Sequence, residues 1–316
     1  MELDSGLLRA FVALADELHF GRAATRLHVS QQALSKRIQQ LESLLGARLV
    51  ERTQRHVGLT AAGQRLLAPA RAAVDAVDAA AATVRVADRP LRVDVLDDHL
   101  WPMLLARSAA ERGMAVDVLT REHGRETLDV LRAGDVDVAF GRAGAVDPPW
   151  PGDLRRRLVR LEPLALLVGA DDPWAAGSTL PVGRLRERRC WFPMTGAPEE
   201  WRAYLDEFAE VYAVDIDHGG STMGFDYWVE RVARGDAPPT FVGTAMEIPP
   251  VPGARVVPLV EPVPVHPWWA MWRRRLPDHL VDQLLEGATT PNTVPGPDVS
   301  WLPERDRAYA TRDHTG

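Results

Sequence analysis

The sequence predicts an α/β chain in which a small helical unit and one long helix precede a region of alternating strands and helices. Three observations support this fold class. Apolar residues recur at helical spacing up to residue 45, and at coiled-coil spacing between residues 67 and 84. Beyond residue 90 they fall into short runs separated by helical segments, which is typical of a sheet covered by helices.

The first unit contains three predicted helices. Residues 4–17 form the first, and a short second helix follows His19-Phe20-Gly21. Ser30 is the expected N-cap of the third helix, which runs from residue 31 to about residue 45 and ends at Gly46 as its C-terminal cap. This third helix carries one apolar stripe, composed of Leu34, Ile38, Leu41 and Leu45.

A short two-stranded wing is predicted over residues 49–59. Apolar and polar residues alternate irregularly there, around Arg52, Arg55 and Gly58. Together with the three helices, the wing completes a winged helix-turn-helix over residues 1–59.

One long alanine-rich helix is predicted over residues 60–88, with a kink at Pro69. Its apolar residues are alternately three and four positions apart, which is the a/d pattern of a coiled coil. A helix with little else to bury is expected to pair with a second copy of itself. Packing against its own unit is the alternative. The expected dimerisation seam consists of Leu67, Ala70, Val74, Val77, Ala81 and Val84.

Residues 89–287 alternate between strands and helices, and the sheet is predicted to be parallel. The predicted strands cover 91–96, 114–119, 136–140, 163–168, 191–193, 213–217, 240–242 and 268–272. The predicted helices cover 100–112, 125–132, 199–211, 222–234 and 277–285. A Pro-rich connection is expected over 249–264, and residues 288–316 are predicted to be a disordered tail because they are polar and rich in proline.

The charge of the chain is unevenly distributed. Charged residues make up 26% of the sequence and apolar residues 46%, and the net charge is −7. Residues 22–65 nevertheless carry a local net charge of +6, whereas residues 90–316 carry −10. Screening removes the influence of charges beyond about 8 Å, so phosphate binding depends on the local patch. The composition therefore allows a nucleic-acid partner.

Cysteine usage and hydropathy indicate a cytoplasmic protein without a membrane partner. Cys190 is the sole cysteine, so no intramolecular disulfide can form. The first residues lack the basic start and apolar run of a signal peptide, and the chain has no apolar run long enough to cross a membrane.

A set of residues between Phe20 and Gly63 matches a known pattern at fixed offsets. The matching residues are Ala23, Ala24, Leu27, Val29, Ser30, Gln31, Ala33, Leu34, Ser35, Ile38, Leu41, Glu42, Leu45, Gly46, Leu49, Arg52, Leu59, Thr60, Ala61, Ala62 and Gly63. They resemble the DNA-binding domain of LysR-type transcriptional regulators. Val50 departs from the pattern, since the family usually has phenylalanine there, but a core substitution of this kind should not alter DNA binding.

The third helix is expected to contact base edges in the major groove of DNA. In a helix-turn-helix, the N-terminal residues of the second helix of the motif enter that groove. Gln31, Gln32, Ser35 and Lys36 lie there, opposite the apolar stripe. Glutamine bonds adenine and lysine bonds guanine acceptors, and each contact gives roughly 1–3 kcal/mol of discrimination. The same four residues are the base-contacting positions that the resemblance implies.

Three arginines are further candidates for DNA contact. Arg22, which begins the second helix, and Arg55 in the wing are expected to contact phosphates or the minor groove. Arg52 is either a DNA contact or a structural ion-pair partner of Glu51 or Glu42. Solvated surface is the alternative interpretation of all these side chains.

The C-terminal part resembles the effector-binding domain of the same family more loosely. The segment 131–139, in which Gly134 caps a helix, is similar to the family's helix-to-strand segment. The resemblance implies a two-lobed α/β fold akin to periplasmic solute-binding proteins, in which the chain crosses twice between lobes. Lobe one is then expected over 91–162 and 269–287, and lobe two over 163–268.

Ligands of open α/β folds bind at the carboxyl ends of strands. These ends supply the expected effector-binding residues, which are Asp97, Asp98, His99, Phe140, Gly141 and Arg142 and, in lobe two, Met194, Thr195 and Gly196.

Asp97 and Asp98 depart from the family, which commonly has serine or threonine there to bind a carboxylate effector. Two carboxylates repel an anion, and Arg142 offsets only part of that repulsion. The expected effector is therefore cationic or neutral, or the pocket senses nothing. The alternative is that Asp97 and Asp98 are only helix N-caps. His99 is expected to be a surface or cap residue.

The sequence carries no motif of a catalytic, cofactor or metal site, so an enzyme is not expected. The nine histidines are scattered, and Cys190 is expected to be an interior strand residue. The sequence contains ten tryptophans, three of them close together. These three are Trp268, Trp269 and Trp272, and they are expected to fill the core, with an aromatic ligand pocket as the alternative.

Two functions fit the sequence. The first is a ligand-gated regulator, in which a homodimer or a dimer of dimers binds an interrupted palindrome in double-stranded DNA and a small effector changes its transcriptional output, with RNA polymerase as a candidate further partner. The second is a DNA-binding regulator whose C-terminal domain binds another protein independently of any ligand.

Overall fold

The computed structural model describes residues 3–52, 57–86, 89–120, 126–193, 199–220, 223–288 and 295–312. The side chains of residues 52, 79, 81–86 and 312 lie outside this description. The chain divides into two compact units, Met1–Asp88 with Arg274–Pro277, and Arg89–Arg273 with Asp278–Gly316. Among the described helices, none combines the length and the apolar content that a membrane span requires.

The first unit begins with the three predicted helices. They are α1 (Ser5–Glu17), α2 (Phe20–Arg26) and α3 (Gln31–Leu45). The hydroxyl of Ser30 accepts a hydrogen bond from the Ala33 N–H at 3.1 Å, which caps α3. Gly46 ends α3 with a φ of 63°, a conformation that costs a glycine little. Both predicted caps of α3 are confirmed.

The wing follows α3 directly. Strands β1 (Val50–Arg52) and β2 (Val57–Leu59) pair in antiparallel fashion, as predicted. One carboxylate oxygen of Glu42 accepts hydrogen bonds from the N–H groups of Leu49, at 2.8 Å, and Val50, at 3.1 Å. The carboxylate of Glu42 therefore ties α3 to the start of the wing.

The long helix α4 (Ala61–Val86) contains Pro69 and begins against the base of the wing. The hydroxyl of Thr60 donates to the carbonyl oxygen of Arg48 at 2.7 Å and accepts from the Gly63 N–H at 3.1 Å. Thr60 thus satisfies one of the free N–H groups in the first turn of α4 and holds that turn beside the wing.

Part of the predicted dimerisation seam is buried within the first unit, because α4 packs against α1. Ala70 is 1% exposed, and Leu67 and Val74 pack against the same core. The prediction that Ala70 faces a second copy is therefore wrong, since its own unit already covers it. Val77, about one turn beyond Val74, is 46% exposed. Two seam residues have side chains outside the described residues, Ala81 and Val84.

The second unit contains two lobes. Lobe one contains β3 (Leu91–Leu96), α5 (Trp101–Glu111), β4 (Val116–Thr120), α6 (Thr127–Ala133), β5 (Val138–Gly141) and α9 (Asp278–Leu285). Lobe two contains β7 (Leu180–Pro181), β8 (Cys190–Trp191), α7 (Glu199–Tyr212), β9 (Ile216–Asp217), α8 (Phe225–Ala233), β10 (Thr240–Gly243) and β11 (Ala254–Val260). Two long strands connect them, β6 (Leu154–Gly169) and β12 (Val263–Arg273).

The sheet is mixed, and the prediction of a parallel sheet holds for only part of it. Strands β4, β3 and β5 are parallel neighbours, whereas β12 lies between β5 and β6 and is antiparallel to both. The first half of β6 was not predicted because it is rich in arginine. These arginines lie over aromatic rings of the unit: the guanidinium of Arg156 is 5.5 Å from the Trp269 ring, and that of Arg157 is 5.7 Å from the Trp272 ring.

The chain crosses between the lobes along β6. Residues 154–163 of β6 pair with β12, and residues 164–169 pair with β10 and β11. The return crossing precedes the predicted boundary at residue 269, because β12 already pairs with β6 at Val265. The predicted Pro-rich connection contains β11, which was not predicted because prolines are uncommon in strands.

The three closely spaced tryptophans fill the core, as the favoured interpretation predicts. Trp268, Trp269 and Trp272 are all buried, and the Trp268 indole N–H donates to the carboxylate of Glu162 at 2.6 Å. Trp269 belongs to the core of lobe one, and arginines stack on the rings of Trp269 and Trp272.

The prediction of a disordered tail is wrong for residues 295–312. Strand β13 (Ser300–Trp301) pairs in parallel with β12, and helix α10 (Glu304–Arg312) follows. Tyr309 and Ala310 are buried in the core of lobe one. Composition did not predict this segment, because its few apolar residues pack against parts of lobe one that are distant in sequence.

Candidate functional site

Helix α3 presents a polar face to solvent. Gln31, Gln32 and Lys36 are exposed, and Ser35 is partly buried. The apolar stripe of α3 points the other way and packs against α1 and α2. The four predicted base-contacting residues therefore lie together on a helix whose opposite face is held rigidly by the core.

The basic residues near α3 are less completely described. Arg22 is exposed, and its Nε lies 3.2 Å from the Oε2 atom of Glu17. The ring Nδ1 of His19 accepts a hydrogen bond from the Arg22 N–H at 3.2 Å and caps α2. Arg22 is thus held at the start of α2 by an exposed ion pair that solvent screens. Arg55 and the side chain of Arg52 lie outside the described residues.

The second candidate site lies at the carboxyl ends of β3 and β5. These strands are parallel neighbours, with Val93 opposite Val138, so the residues that follow them meet at one edge of the sheet. The predicted residues 97–99 and 140–142 are therefore brought to the same edge.

The residues after β3 form a small acidic cluster around an imidazole. His99 Nδ1 lies 3.0 Å from Asp97 Oδ1 and 2.9 Å from Asp98 Oδ1, and both carboxylates are exposed. The N-cap alternative is wrong, because Leu100 is the N-cap residue of α5 and no side chain caps this helix. One possible ligand atom from each of these three residues lies within 4.8 Å of the others. The scattering of histidines in the sequence did not predict this cluster. Exposed acidic groups often gather in this way without a cation, so we assign no metal.

His99 contacts lobe two as well as lobe one. Its ring lies 4.6 Å from the ring of Phe225, and its Nε2 lies 3.9 Å from Oδ1 of Asp226. The N–H of Glu247 donates to the carbonyl oxygen of His99 at 2.9 Å. The predicted surface residue thus lies between the lobes. The predicted residues of lobe two, Met194, Thr195 and Gly196, lie outside the described residues.

Arg142 is not available to an effector, contrary to the prediction. It is 3% exposed, and its Nε donates to Oδ2 of Asp306 at 3.0 Å. Its Nη1 donates to the carbonyl oxygen of Glu200 at 2.6 Å. Burial raises the pKa of Asp306, and the nearby charge of Arg142 opposes that rise. The carboxylate of Asp306, in the C-terminal segment, therefore binds Arg142 in the way that an external ligand was expected to.

Phe140 and Gly141 are buried and have structural roles, and these roles lend no support to their assignment as effector contacts. Phe140 is fully buried and meets the ring of Trp101 edge-on at 6.1 Å. At Gly141, an added Cβ would lie 2.7 Å from Oε1 of Glu200 and 3.0 Å from the hydroxyl oxygen of Thr127. Gly141 is needed because the buried carboxylate of Glu200 lies against the backbone there.

Buried polar residues between the lobes were not predicted. Glu162 accepts hydrogen bonds from the Trp268 indole and from the Ala245 N–H, at 2.6 and 2.8 Å. Burial raises the pKa of Glu162, and these two donors oppose the rise. Burial, with the nearby Arg142, lowers the pKa of His266 well below its usual value. A single sequence gives no signal for such residues, since a polar residue within a strand is ordinarily read as facing solvent.

Cys190 is an interior strand residue, as predicted. It is fully buried in β8, and burial raises the pKa of its thiol to about 12. The thiolate is the reactive form of cysteine, so the folded chain holds this group unreactive near neutral pH.

Two family models match separate parts of the chain. One, described as "Bacterial regulatory helix-turn-helix protein, lysR family", matches residues 6–64. The other, "LysR substrate binding domain", matches residues 88–289. The first match covers the three helices and the wing, and the second covers the two lobes up to residue 289.

Two curated relatives carry matching descriptions. The transcriptional regulator IlvR of Caulobacter vibrioides is 34% identical over 209 residues, which cover 62% of this chain and 68% of that protein. The uncharacterized transcriptional regulator YnfL of Escherichia coli is 36% identical over 195 residues, which cover 58% of this chain. The match spans less than two thirds of YnfL, 64% of its length.

A solved structure supports the fold. The hydrogen-peroxide-bound structure of a cysteine-to-serine mutant of OxyR from Corynebacterium glutamicum superimposes with a TM-score of 0.52 and 20% identity, covering 90% of this chain and 91% of that one. At this identity the likeness concerns the fold alone. With both family models matched, over the helix-turn-helix and over the two-lobed unit, the chain belongs to the LysR family of bacterial transcriptional regulators.

Proposed function

We propose that the chain reads an interrupted palindrome in double-stranded DNA through α3 and changes transcription when a small effector binds between its lobes. The observation that carries the first half is the polar face of α3, where Gln31, Gln32 and Lys36 are exposed above a buried stripe. A rigid helix with amide and ammonium groups on its exposed first turns has the chemistry that base edges in the major groove require.

A Gln32→Ala chain is expected to lose base discrimination while keeping general DNA affinity. Removing one bidentate contact to a base should lower the ratio of specific to random affinity by roughly 5- to 150-fold, about 1–3 kcal/mol. The specific site is obtained by selecting fragments from a random pool with the unmodified chain. Titrations of that site and of random DNA at several salt concentrations give both affinities.

Gln40→Ala is the matched control, because Gln40 is an exposed glutamine of α3 more than two turns beyond Gln32. It should leave the specificity ratio unchanged. Equal losses on specific and random DNA for Gln32→Ala would contradict base reading by α3. Absence of salt-sensitive binding by the unmodified chain would contradict the whole proposal.

Self-association through the part of α4 around Val77 fits this function. Palindromic sites are bound by two copies related by a two-fold axis, and half-site spacing follows from the distance between their recognition helices. Val77 is an exposed apolar residue of the predicted seam, and it lies beside Asp78, which pairs with Arg9 of α1. We propose that a second copy covers this part of the helix and gives a dimer. The dimer works in the cytoplasm, where the DNA is. Two dimers pair into a dimer of dimers where two sites are occupied. RNA polymerase is the partner through which bound DNA would become altered transcription.

The charge between the lobes favours a cationic or neutral effector. Asp97, Asp98 and Asp226 surround His99, and the aromatic ring of Phe225 lies beside it. Arg142 cannot offset these carboxylates, because its charge is already paired with a buried carboxylate. Carboxylates and an aromatic face together attract an organic cation.

Calorimetric titration with two probes of opposite charge tests this preference. Phenethylammonium and 3-phenylpropionate share a ring and a two-carbon spacer, so they differ mainly in charge. We expect the ammonium to bind the full chain more tightly, with the difference shrinking at high salt. Tighter binding of the carboxylate would overturn the charge argument. Binding of neither across a wider panel of metabolites would favour the second function, a ligand-independent protein-interaction domain, which the occupied Arg142 position also supports.

A further inference from the structure

The C-terminal arm, defined as residues 295–312, contacts both lobes of the second unit. Its strand β13 pairs with β12, and the Trp301 ring lies 5.1 Å from the ring of Phe208 in α7 of lobe two. The arm then enters lobe one, where α10 lies against the turn Ala143–Ala145. Two of its residues are buried in the core of lobe one, Tyr309 and Ala310. The arm therefore crosses from one lobe to the other.

The centre of the arm is a fully buried carboxylate. Asp306 is 0% exposed, and its Oδ1 accepts the Gly144 N–H at 2.9 Å. Its Oδ2 accepts both Nε and Nη2 of Arg142. An added Cβ at Gly144 would lie less than 3.0 Å from this carboxylate, so glycine is what lets the backbone N–H approach it. A guanidinium and a main-chain N–H converging on two carboxylate oxygens make a carboxylate-binding site.

Arg142 also reaches lobe two. Its Nη1 donates to the carbonyl oxygen of Glu200 in the first turn of α7, at 2.6 Å. One guanidinium therefore binds the arm through Asp306 and lobe two through Glu200, while belonging to lobe one itself. The three parts of the unit meet at this side chain.

We propose that the arm is a built-in ligand of the two-lobed unit: Asp306 occupies a carboxylate-binding site formed by Arg142 and Gly144, and in doing so holds lobe one and lobe two together. The site itself stands without the proposed function. Its regulatory consequence rests on that function, because an occupied site keeps one arrangement of the lobes without any added effector.

Removing the carboxylate and replacing it with a small one tests the proposal. In the full-length Asp306→Ala chain, Arg142 is left buried without its partner, and the Tm of the second unit should fall by roughly 6–20 °C. Formate matches the carboxylate that this variant loses, because alanine keeps the Cβ carbon. Sodium formate should restore much of the Tm of this variant, whereas sodium chloride at equal concentration should not. The unmodified chain should respond equally to both salts.

The arm itself is followed by hydrogen exchange. Peptides that cover residues 300–312 and the first turn of α7 should exchange at least tenfold faster in Asp306→Ala, and formate should slow them again. Asp298→Ala, which removes an exposed carboxylate of the same arm, should behave like the unmodified chain. Equal responses of Asp306→Ala to formate and chloride, or unchanged exchange in the arm, would overturn the proposal.

A second variant covers the case in which Asp306→Ala does not fold. Replacing both Arg142 and Asp306 by leucine removes the two charges together, and such exchanges of a buried pair for apolar residues are often tolerated. This double variant should fold and show no specific response to formate. A specific response would place the carboxylate site elsewhere and so overturn the proposal. Salt-sensitive DNA binding is measured on the same samples and depends on the first unit. If the unmodified chain does not bind DNA, the proposed function is contradicted, but the proposal about the arm is not.

Discussion

A Gly63→Ala chain is expected to lose roughly 2–4 kcal/mol of stability in its first unit and to bind DNA at least tenfold more weakly. Gly63 lies in the first turn of α4, and an ideal Cβ there would lie less than 3.0 Å from the carbonyl oxygen of Leu49. The clash is with backbone, so no side chain can rotate to relieve it. The wing would have to move away from α4.

Helix propensity predicts the opposite sign, which makes this substitution informative. Alanine in place of glycine inside a helix ordinarily stabilises by about 1 kcal/mol. A net loss would therefore mean that close packing of the wing outweighs propensity. A gain in stability, or unchanged DNA affinity, would show that the wing yields without cost.

The measurement separates the two units, because all ten tryptophans lie at residue 101 or beyond. Tryptophan fluorescence therefore reports unfolding of the second unit alone, while DNA titration reports on the first unit and circular dichroism on both. Gly63→Ala should leave the fluorescence transition unchanged. Gly183→Ala is the matched control, since an added Cβ there meets nothing closer than 4.0 Å; it should change neither DNA binding nor stability appreciably.

Local chemistry made the first unit predictable from sequence. The bounds of α3 follow from Ser30 and Gly46, and both act through hydrogen bonds or backbone conformations within a few residues. The same holds for β3, whose predicted and observed bounds coincide at Leu91–Leu96. A resemblance at fixed offsets then predicts which exposed side chains of α3 would face DNA.

The second site was harder to predict because its decisive contacts are distant in sequence. Arg142 looked like an effector contact at a strand end, and the position of the strand end was correct. Its partner, Asp306, lies 164 residues further along, in a segment whose composition indicates disorder. No local pattern distinguishes an arginine that awaits a ligand from one that already has a partner. The missed first half of β6 has the same cause, since its arginines are stabilised by rings from other elements.

Replacing Asp137 by asparagine is expected to destabilise the second unit by about 2–3 kcal/mol at pH 7. Asp137 is 2% exposed at the start of β5, and its Oδ2 accepts hydrogen bonds from Nη1 of Arg89 at 2.6 Å and from the Arg92 N–H at 3.0 Å. Arg273 lies 3.4 Å from its other oxygen. Asparagine keeps the volume but leaves three guanidinium groups without their shared counter-charge.

The pH dependence identifies the ionised carboxylate as the source of this stability. Burial alone would raise the pKa of Asp137, but the hydrogen bonds from Arg89 and Arg92 outweigh it and lower the pKa from 3.8 to about 2. A lowered pKa stabilises the fold fully above about pH 4, and that contribution, about 2 kcal/mol, is lost as the pH falls towards 2. Urea midpoints of the fluorescence transition should therefore differ between the unmodified chain and Asp137→Asn at pH 7 and converge as the pH falls towards 2. Asp171→Asn, at an exposed position of the same unit, should follow the unmodified chain throughout. A difference that stays constant across this range would mean that the shape of the side chain, and not its charge, stabilises the start of β5.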